Sequence, residues 1–586
     1  MTEKGEAAYR WSVTRRAVFV IVGGYFGATL FAIALALLLP VPRADAVLFG
    51  TIFSFLVYAG IAIWAYARVR GGFRKSMAWL HTWTGLLLGW VLYAVFVTGT
   101  AAYYRNEITL WMSPEARATS APSDALDRGL AELKARAAGS DRWSVSLPDE
   151  RDPSLSIQWR EKTNQGTSNR TMYWDASSEQ FITPRATEGG AFLYRFHYNL
   201  HLPDRYGEWI VGVAAMLMLV AIISGVVTHR RFFKDFFVLR LKKGGQRAWL
   251  DAHNMTSVFA LPFHLMITFT GLLSLMFVYL PWAQQVMYGD DTKTYSAEAF
   301  GNADIPKASG EAAGLASLAT VIATSRDTWG SDRLGRVMIN NAGDAAATFE
   351  TRPNYAGQVS LDHRKVIANG ATGEVVSNVQ GFGPGVATRG VLIGLHVARF
   401  AQPTVRALFF LCGLAGCAMV ATGLVLWNLK RRDPRIAQSR AERLVERLNI
   451  AAILGAPIAV AAYFLANRLL PAELPTRADW EIRWFFIAWA LSVLHAFARQ
   501  ASRAWQEQLS VASLLFFAVP LVNALTTGRG LWQSLASGDV LFAAFDVVQL
   551  CLGAAFASTA FYLWRREHGS SLARGRASAD QIGSAL

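Results

Sequence analysis

The sequence has 586 residues, of which 53% are hydrophobic and 17% are charged, and it contains 20 Trp and 35 Phe. This balance is typical of a membrane protein with several spans and excludes a large soluble enzyme. The formal net charge of +15 would suit a nucleic-acid partner. The basic residues, however, stand in short clusters at the ends of apolar runs, where they set membrane orientation, so no nucleic acid is expected.

Runs of about 20 apolar residues, the length that crosses a bilayer, predict ten transmembrane helices. These runs are 17–40, 46–67, 78–103, 206–228, 252–280, 404–428, 450–470, 480–498, 508–527 and 538–564. In this arrangement every basic cluster falls on the same side of the membrane, so the positive-inside rule places both termini in the cytoplasm. The first run has no small-residue cleavage site, which favours a first span over a cleaved signal peptide.

Two long inserts between spans, 104–205 and 281–403, are expected to face the outside. Each has a helical stretch followed by segments of alternating polarity, such as LSIQWR in the first and AATFETR in the second. This pattern predicts antiparallel strands, so each insert is expected to be a small α+β domain. Segments 81–99 and 253–271 have the same length and both end in Thr-Gly. The core of the chain is therefore interpreted as a duplication.

The stretch 251–271, DAHNMTSVFALPFHLMITFTG, is apolar enough for a bilayer yet contains His253 and His264. On one helix, residues eleven apart face the same way and lie about 16 Å apart along the axis. A titratable side chain inside a membrane is a functional candidate, although a single one can simply hydrogen-bond a neighbouring helix. The first half of the duplication has Leu92 where the second has His264, so the halves are chemically unequal.

The core histidines sort by depth along the predicted spans. Towards the inside lie His81, His229 and His253, towards the outside lie His197, His201 and His396, and His264 lies near the middle. Neutral imidazole is an axial ligand of haem iron, and helical bundles hold cofactors between facing helices. Because electron transfer across about 30 Å of hydrocarbon needs two redox centres, two haems b are expected.

For the inner haem we expect His253 and His81, the pair related by the duplication, as iron ligands, with His229 as the competing candidate. These side chains come from different spans that return to the same membrane surface.

For the outer haem we expect His264 as one iron ligand, paired with either His396 or His201. Arginine and lysine residues flank both tiers and are candidate partners of haem propionates. Structural roles are assigned to the three other histidines, which are His363, His495 and His568.

Three segments resemble the PepSY-associated transmembrane helix family. They are LHTWTGLLLGW at 80–90, NLHLPDRYGEW with GVVTHRR within 199–231, and DAHN with ALPFHLMITFTGLL within 251–273. The resemblance covers roughly residues 74–432. It implies an iron-regulated protein of the bacterial inner membrane with PepSY-like outer inserts, and some members of the family are haem b reductases of ferric siderophores.

The expected architecture is a mainly α, polytopic membrane protein with about ten transmembrane helices. It combines a duplicated haem-binding helical core with two periplasmic α+β PepSY-like domains. The expected segments are a two-helix membrane segment (1–73), a core helix (74–103), a first PepSY-like domain (104–205), core helices (206–280), a second PepSY-like domain (281–403), a core helix (404–432) and a four-helix membrane segment (433–586).

The function expected from these features is transfer of electrons across the membrane to a periplasmic ferric siderophore or other ferric chelate. Because no GxGxxG turn joins a strand to a helix, no nicotinamide or flavin domain is predicted, and the donor would be a membrane quinol or a cytoplasmic reductase. The alternative is a non-enzymatic transporter, or a PepSY-type assembly or regulatory protein, with structural histidines. A permease that uses the histidines as a proton path is a third hypothesis.

Overall fold

The computed structural model describes residues 3–69, 72–116, 124–149, 151–163, 166–229, 245–301, 306–329, 334–361, 364–379, 381–433 and 435–583. His363 lies outside these residues, and so does most of the basic cluster that begins at Arg230. Helices dominate the described chain, and its strands form an eight-stranded sheet.

The helices follow each other in this order. They are α1 (Glu3–Val18), a π-helical segment (Phe19–Gly24), α2 (Tyr25–Leu38), α3 (Arg43–Tyr66), α4 (Phe73–Ala102), α5 (Arg105–Met112), α6 (Ala125–Arg136), α7 (Gly189–Asn199), α8 (Tyr206–Thr228), α9 (Gly245–Phe259), α10 (Leu261–Ser274), α11 (Met276–Tyr279), α12 (Trp282–Tyr288), α13 (Thr292–Phe300), α14 (Leu318–Trp329), α15 (Pro384–Val397), α16 (Pro403–Leu429), α17 (Arg440–Ile453), α18 (Gly455–Leu469), α19 (Arg477–Ala498), α20 (Ala501–Thr527), α21 (Leu531–Ala536) and α22 (Val540–Gly583).

The described residues contain nine helices long and apolar enough to cross a membrane, and a bent pair of helices meets the same criterion together, which makes ten if the pair is one broken span. Each span predicted from the sequence has its counterpart here, including the first, which the structure places at Trp11–Leu38. The chain is therefore a multi-pass membrane protein.

The bent pair is α9 and α10, which meet at an angle of 67°. Pro262 stands in the first turn of α10, where its missing N–H costs nothing, but its ring prevents a straight continuation from the preceding turn. The expectation that His253 and His264 share one face of one straight helix is therefore wrong.

The core consists of α4, α8, the bent pair and α16. Helix α4 packs against α8 and α16, and α16 packs against α9. The bent pair repeats the role of α4, and α16 repeats the role of α8, in agreement with the predicted duplication.

Two short helices, α7 and α15, precede the returning spans α8 and α16. Helix α7 packs against α4, and α15 packs against α10. Each ends in the left-handed region, at Leu200 (φ 54°) and Ala398 (φ 53°), which turns the chain sharply before the next span begins. His197 and His396 lie in the last turns of these helices, just before the returning spans begin.

The two inserts form a single antiparallel sheet. Its strands are β1 (Arg142–Ser146), β2 (Ser156–Thr163), β3 (Gly166–Asp175), β4 (Gln180–Ile182), β5 (Leu334–Asn340), β6 (Thr348–Pro353), β7 (Lys365–Asn369) and β8 (Val375–Val379). Their order is β4-β3-β2-β1-β5-β6-β7-β8, so the inserts join through β1 and β5. In this seam Val145 pairs with Val337 and Trp143 with Ile339.

The sheet and the helices α6 and α14 share one apolar core. Trp143, Val145, Val337 and Ile339 from the seam are all buried in it, together with Leu318 of α14. Each insert was expected to be a small α+β domain, and in the described chain the two inserts share one sheet and one core as a composite unit. We call the side of the membrane that carries this unit the sheet side and the other the loop side.

The C-terminal spans pack against the core through α17, which contacts α4 and α16. Helix α17 begins with a capping box in which Ser439 and Glu442 satisfy each other's backbone N–H groups. Asn449 of α17 accepts a hydrogen bond from Trp90 Nε1 of α4 at 2.8 Å and donates one to the Leu424 carbonyl at 3.0 Å. These polar contacts fix the C-terminal segment against the core.

Candidate functional site

Four histidines of the core face each other in two pairs. The ring centres of His81 and His253 are 6.2 Å apart, and those of His197 and His396 are 6.1 Å apart. His81 lies near the loop-side end of α4, and we call His81 and His253 the loop-side pair. His197 packs near the other end of α4, and we call His197 and His396 the sheet-side pair.

The separation of the pairs follows from α4, which is one continuous helix. His81 belongs to the loop-side pair, whereas Gly99, near the other end of the same helix, contacts the His197 ring. At about 1.5 Å per residue, the stretch from His81 to Gly99 spans about 27 Å, close to the thickness of the hydrocarbon core. The pairs therefore lie near opposite surfaces of the membrane.

Each histidine has its Nδ1 held by a neighbouring helix. Nδ1 lies 2.8 Å from the Ala221 carbonyl in His81, 2.9 Å from the Met419 carbonyl in His253, and 2.8 Å from the Val95 carbonyl in His197. In His396, Nδ1 lies 3.0 Å from the Thr270 hydroxyl, next to the Ile267 carbonyl. A carbonyl can only accept, so Nδ1 carries the proton and Nε2 is left as the basic nitrogen.

A glycine stands four residues after each of these carbonyls and faces the same imidazole. A Cβ atom added to the glycine would lie 2.5 Å from the His197 ring carbon Cε1 at Gly99, 3.0 Å from His81 at Gly225, 3.0 Å from His396 at Gly271 and 3.2 Å from His253 at Gly423. Only glycine lets the ring approach the helix closely enough to reach the carbonyl one turn earlier.

A buried hydroxyl residue precedes each glycine. These residues are Thr98, Ser224, Thr270 and Thr422, and each hydroxyl donates to a carbonyl of its own helix. The arrangement of hydroxyl residue, glycine, carbonyl and histidine thus occurs four times. The Thr-Gly ends of 81–99 and 253–271 were visible in the sequence, but the Ser224-Gly225 and Thr422-Gly423 members were missed.

The pairs have the spacing of two ligands on one metal. Two imidazoles on opposite sides of a metal have ring centres about 6.4 Å apart, with about 2.05 Å per metal–nitrogen bond and about 1.15 Å from nitrogen to ring centre. The observed 6.2 and 6.1 Å agree with this distance. Among the described residues no group of three or more His, Cys, Asp or Glu comes together. The candidate metal ligands in this part of the chain are therefore the two imidazole pairs.

A cavity of about 630 Å³ surrounds the loop-side pair. Its walls are mainly apolar, with Leu86, Leu92 and Met218 among them, whereas its loop-side end carries Arg247, Lys430 and Arg431. A volume in this range accepts an organic cofactor. Apolar walls with cationic groups at one end suit a flat apolar molecule that carries acidic substituents.

His264 is fully buried and lines the same cavity, apart from both pairs. Its ring meets Phe96 edge to face at 6.1 Å. Backbone groups of Ser257 and Cys412 lie nearby, but neither ring nitrogen has a partner in hydrogen-bond geometry among the described residues. The predicted pairing of His264 with His396 is not formed, because His197 occupies the position opposite His396.

The two remaining candidates lie at the edges of the core. The His201 side chain is exposed, and its ring contacts Phe192 and Phe486 at 5.7 and 5.6 Å, so it does not face His396. His229 ends α8 and lines the loop-side end of the cavity, whereas the ring opposite His81 is that of His253.

Guanidinium groups cluster beside the sheet-side pair. Arg105 stacks over the Tyr194 ring at 4.8 Å. Arg195 stands two residues before His197, and Arg399 stands three residues after His396. Burial, followed by the charges of Arg399, Arg352 and Arg105, lowers the pKa of Arg336. Its side chain is nevertheless solvent-accessible. Like charges held this close favour a bound anion.

The family model described as the PepSY-associated TM region matches residues 78–430, which contain both histidine pairs. The chain belongs to this family. The comparison with curated proteins finds a similar protein of Pseudomonas aeruginosa, "Uncharacterized protein PA4219". It is 28% identical over 308 residues, which are 50% of this chain and 75% of that protein. That name assigns no activity to the relative.

Proposed function

We propose that this protein is a di-haem b oxidoreductase that passes electrons through the membrane to a ferric chelate on the sheet side. The observation that carries the proposal is the fourfold histidine, carbonyl and glycine arrangement, which presents two pairs of basic Nε2 atoms near opposite ends of α4. A structural histidine would need one partner, whereas these rings are tethered on one nitrogen and directed towards each other.

The described residues fit a haem at each pair. His81 and His253 would bind one iron, and His197 and His396 the other. Haem iron, when bound, takes up and releases one electron at a time. The apolar cavity would enclose the loop-side ring system, and Arg247, Lys430 and Arg431 would pair with its propionates.

The protein's own contribution is orientation and exclusion of water. The Nδ1 contacts to backbone carbonyls fix the tautomer and direction of each imidazole and raise its basicity as a ligand. Buried aromatic and aliphatic side chains around the pairs exclude water from the core. The core therefore insulates the solutions on the two sides of the membrane from each other.

The substrate side is proposed from the arginine cluster. Arg105, Arg336 and Arg399 would hold an anionic ferric chelate next to the sheet-side pair. One electron converts ferric to ferrous iron, which hard oxygen ligands hold more weakly. By the positive-inside rule the loop side is cytoplasmic, so the chelate would be reduced on the periplasmic side of a bacterial inner membrane.

The test is the haem content of protein purified from cells that make haem. We expect a low-spin b-type spectrum with about two haems per chain. His253→Ala and His396→Ala should each remove one haem, and the control His201→Ala should remove none, because its ring lies outside both pairs. After chemical reduction, ferric citrate added without oxygen should reoxidise the haems and release trappable ferrous iron. A colourless preparation would favour a non-enzymatic transporter or assembly factor instead.

A further inference from the structure

A second cavity lies within the C-terminal spans, among α18, α19 and α20. Its volume is about 520 Å³, and its walls are almost entirely aliphatic. Representative wall residues are Ile458, Leu465, Leu469 and Leu491, with the Trp484 ring along one side. Leu469 and Leu491 are 65% and 58% exposed, so the cavity is open to the lipid.

One end of this cavity is polar. His495 Nε2 lies 2.8 Å from a carboxylate oxygen of Glu507, so Nε2 carries a proton and donates it. The Gln508 amide nitrogen lies 3.2 Å from His495 Nδ1 and 2.7 Å from the Ser492 carbonyl, and it donates to both. Arg499 pairs with the same carboxylate on the loop side.

The Gln508 amide leaves an acceptor unused. Its nitrogen already has two acceptors, which fixes the orientation of the amide and assigns the other atom as Oε1. Gln508 is only 3% exposed, and Oε1 has no hydrogen-bond partner among the described residues. A buried carbonyl oxygen is stabilised by a hydrogen-bond donor, so a ligand that brings a hydroxyl or amine to this end of the cavity would be favoured.

The polar end adjoins the core at the level of the loop-side pair. Ala496 and Leu509, neighbours of His495 and Gln508, belong to the same apolar cluster as Leu424, which lines the cavity of the loop-side pair. Packed apolar side chains therefore connect the second cavity to the cavity around the loop-side pair.

We propose that this cavity binds a membrane hydroquinone. One of its hydroxyls donates to Gln508 Oε1, and its isoprenoid tail lies along the aliphatic wall towards Leu469. The binding site stands independently, whereas its role as electron source rests on the proposed function. In that role the hydroquinone becomes the quinone by losing two electrons and two protons. Its two electrons would pass one at a time to the haem irons, and its two protons would leave one after the other through the partly exposed His495 imidazole to water at the loop-side surface.

The test measures quinone binding without reference to haem. Decylubiquinone added to purified protein quenches tryptophan fluorescence, and Trp484 lies in the wall. We expect Gln508→Leu to weaken binding about tenfold or more, because it removes the buried acceptor. Ala462→Phe, which fills the aliphatic part and leaves the polar end intact, should do the same. The control is Leu514→Phe, since this side chain is 68% exposed on the same helix as Gln508.

The outcomes separate the two proposals. Unchanged binding in both cavity variants, or displacement of the quinone by phospholipid alone, would overturn the quinone site and assign the cavity to acyl chains. Quinone binding to a protein without haem would leave the site standing while the proposed function fails. Haems that dithionite reduces and decylubiquinol does not would overturn the role of the site in electron entry.

Discussion

Replacing Gly99 by alanine tests the geometry of the sheet-side pair directly. The new Cβ atom would lie 2.5 Å from the His197 ring carbon Cε1, well inside an ordinary contact. The imidazole must retreat by about 1 Å, which stretches its 2.8 Å bond to the Val95 carbonyl beyond hydrogen-bond range. Loss of such an orienting contact typically lowers metal affinity about 10- to 100-fold, or about 1.4–2.7 kcal/mol.

The assay is haem per chain after purification, together with thermal unfolding. Alanine in a helix interior is about 1 kcal/mol more favourable than glycine, so the fold should survive while haem content falls from about two to about one. Gly423→Ala, with a 3.2 Å contact, should be milder, and Gly60→Ala in α3 meets nothing within 4 Å and serves as the control. A Gly99→Ala protein with two haems and unchanged spectra would refute the reasoning.

Three further predictions follow from the same structure. His264→Ala should retain both haems in low-spin form, because the His264 ring faces neither pair. Loss of one haem in this variant would make His264 a candidate iron ligand again. Arg336→Gln should raise the KM for ferric citrate about tenfold, more at low salt than at high salt, whereas Arg160→Gln, in an exposed ion pair, should leave it unchanged. Hydrogen bonds to the Asp344 carboxylate, led by the backbone N–H of Ser309, lower its pKa from 3.8 to about 2. The hydrogen bonds of this carboxylate therefore stabilise the turn fully above about pH 4, and this stabilisation is lost as the pH falls through about 2. Hydrogen exchange of the backbone amides in the turn should show this acid dependence in the native protein but not in Asp344→Asn.

The spans were predictable because each is a long apolar run bounded by charge, a signal that needs no tertiary information. The bend between α9 and α10 also has a local cause, Pro262, whose effect was not recognised in the sequence. It separates His253 from His264 and removes the basis for assigning His264 to the outer tier.

The partner of His396 was harder to predict. His197 and His201 stand close together, and only the left-handed turn at Leu200 decides which of them points into the bundle. Likewise, alternating polarity predicted the strands of each insert, but the pairing of β1 with β5 is a contact between distant segments that local periodicity does not encode.

The seam between β1 and β5 has a consequence for how the protein is made. These strands are far apart in the chain. At ordinary rates of translation the ribosome therefore needs about 10–40 s to deliver β5 after β1. During that interval the first four strands present an unpaired edge that carries Trp143 and Val145, and exposed edges of this kind invite misassociation. We therefore expect the nascent edge to be shielded until the fourth and fifth spans are inserted and the second half closes the sheet.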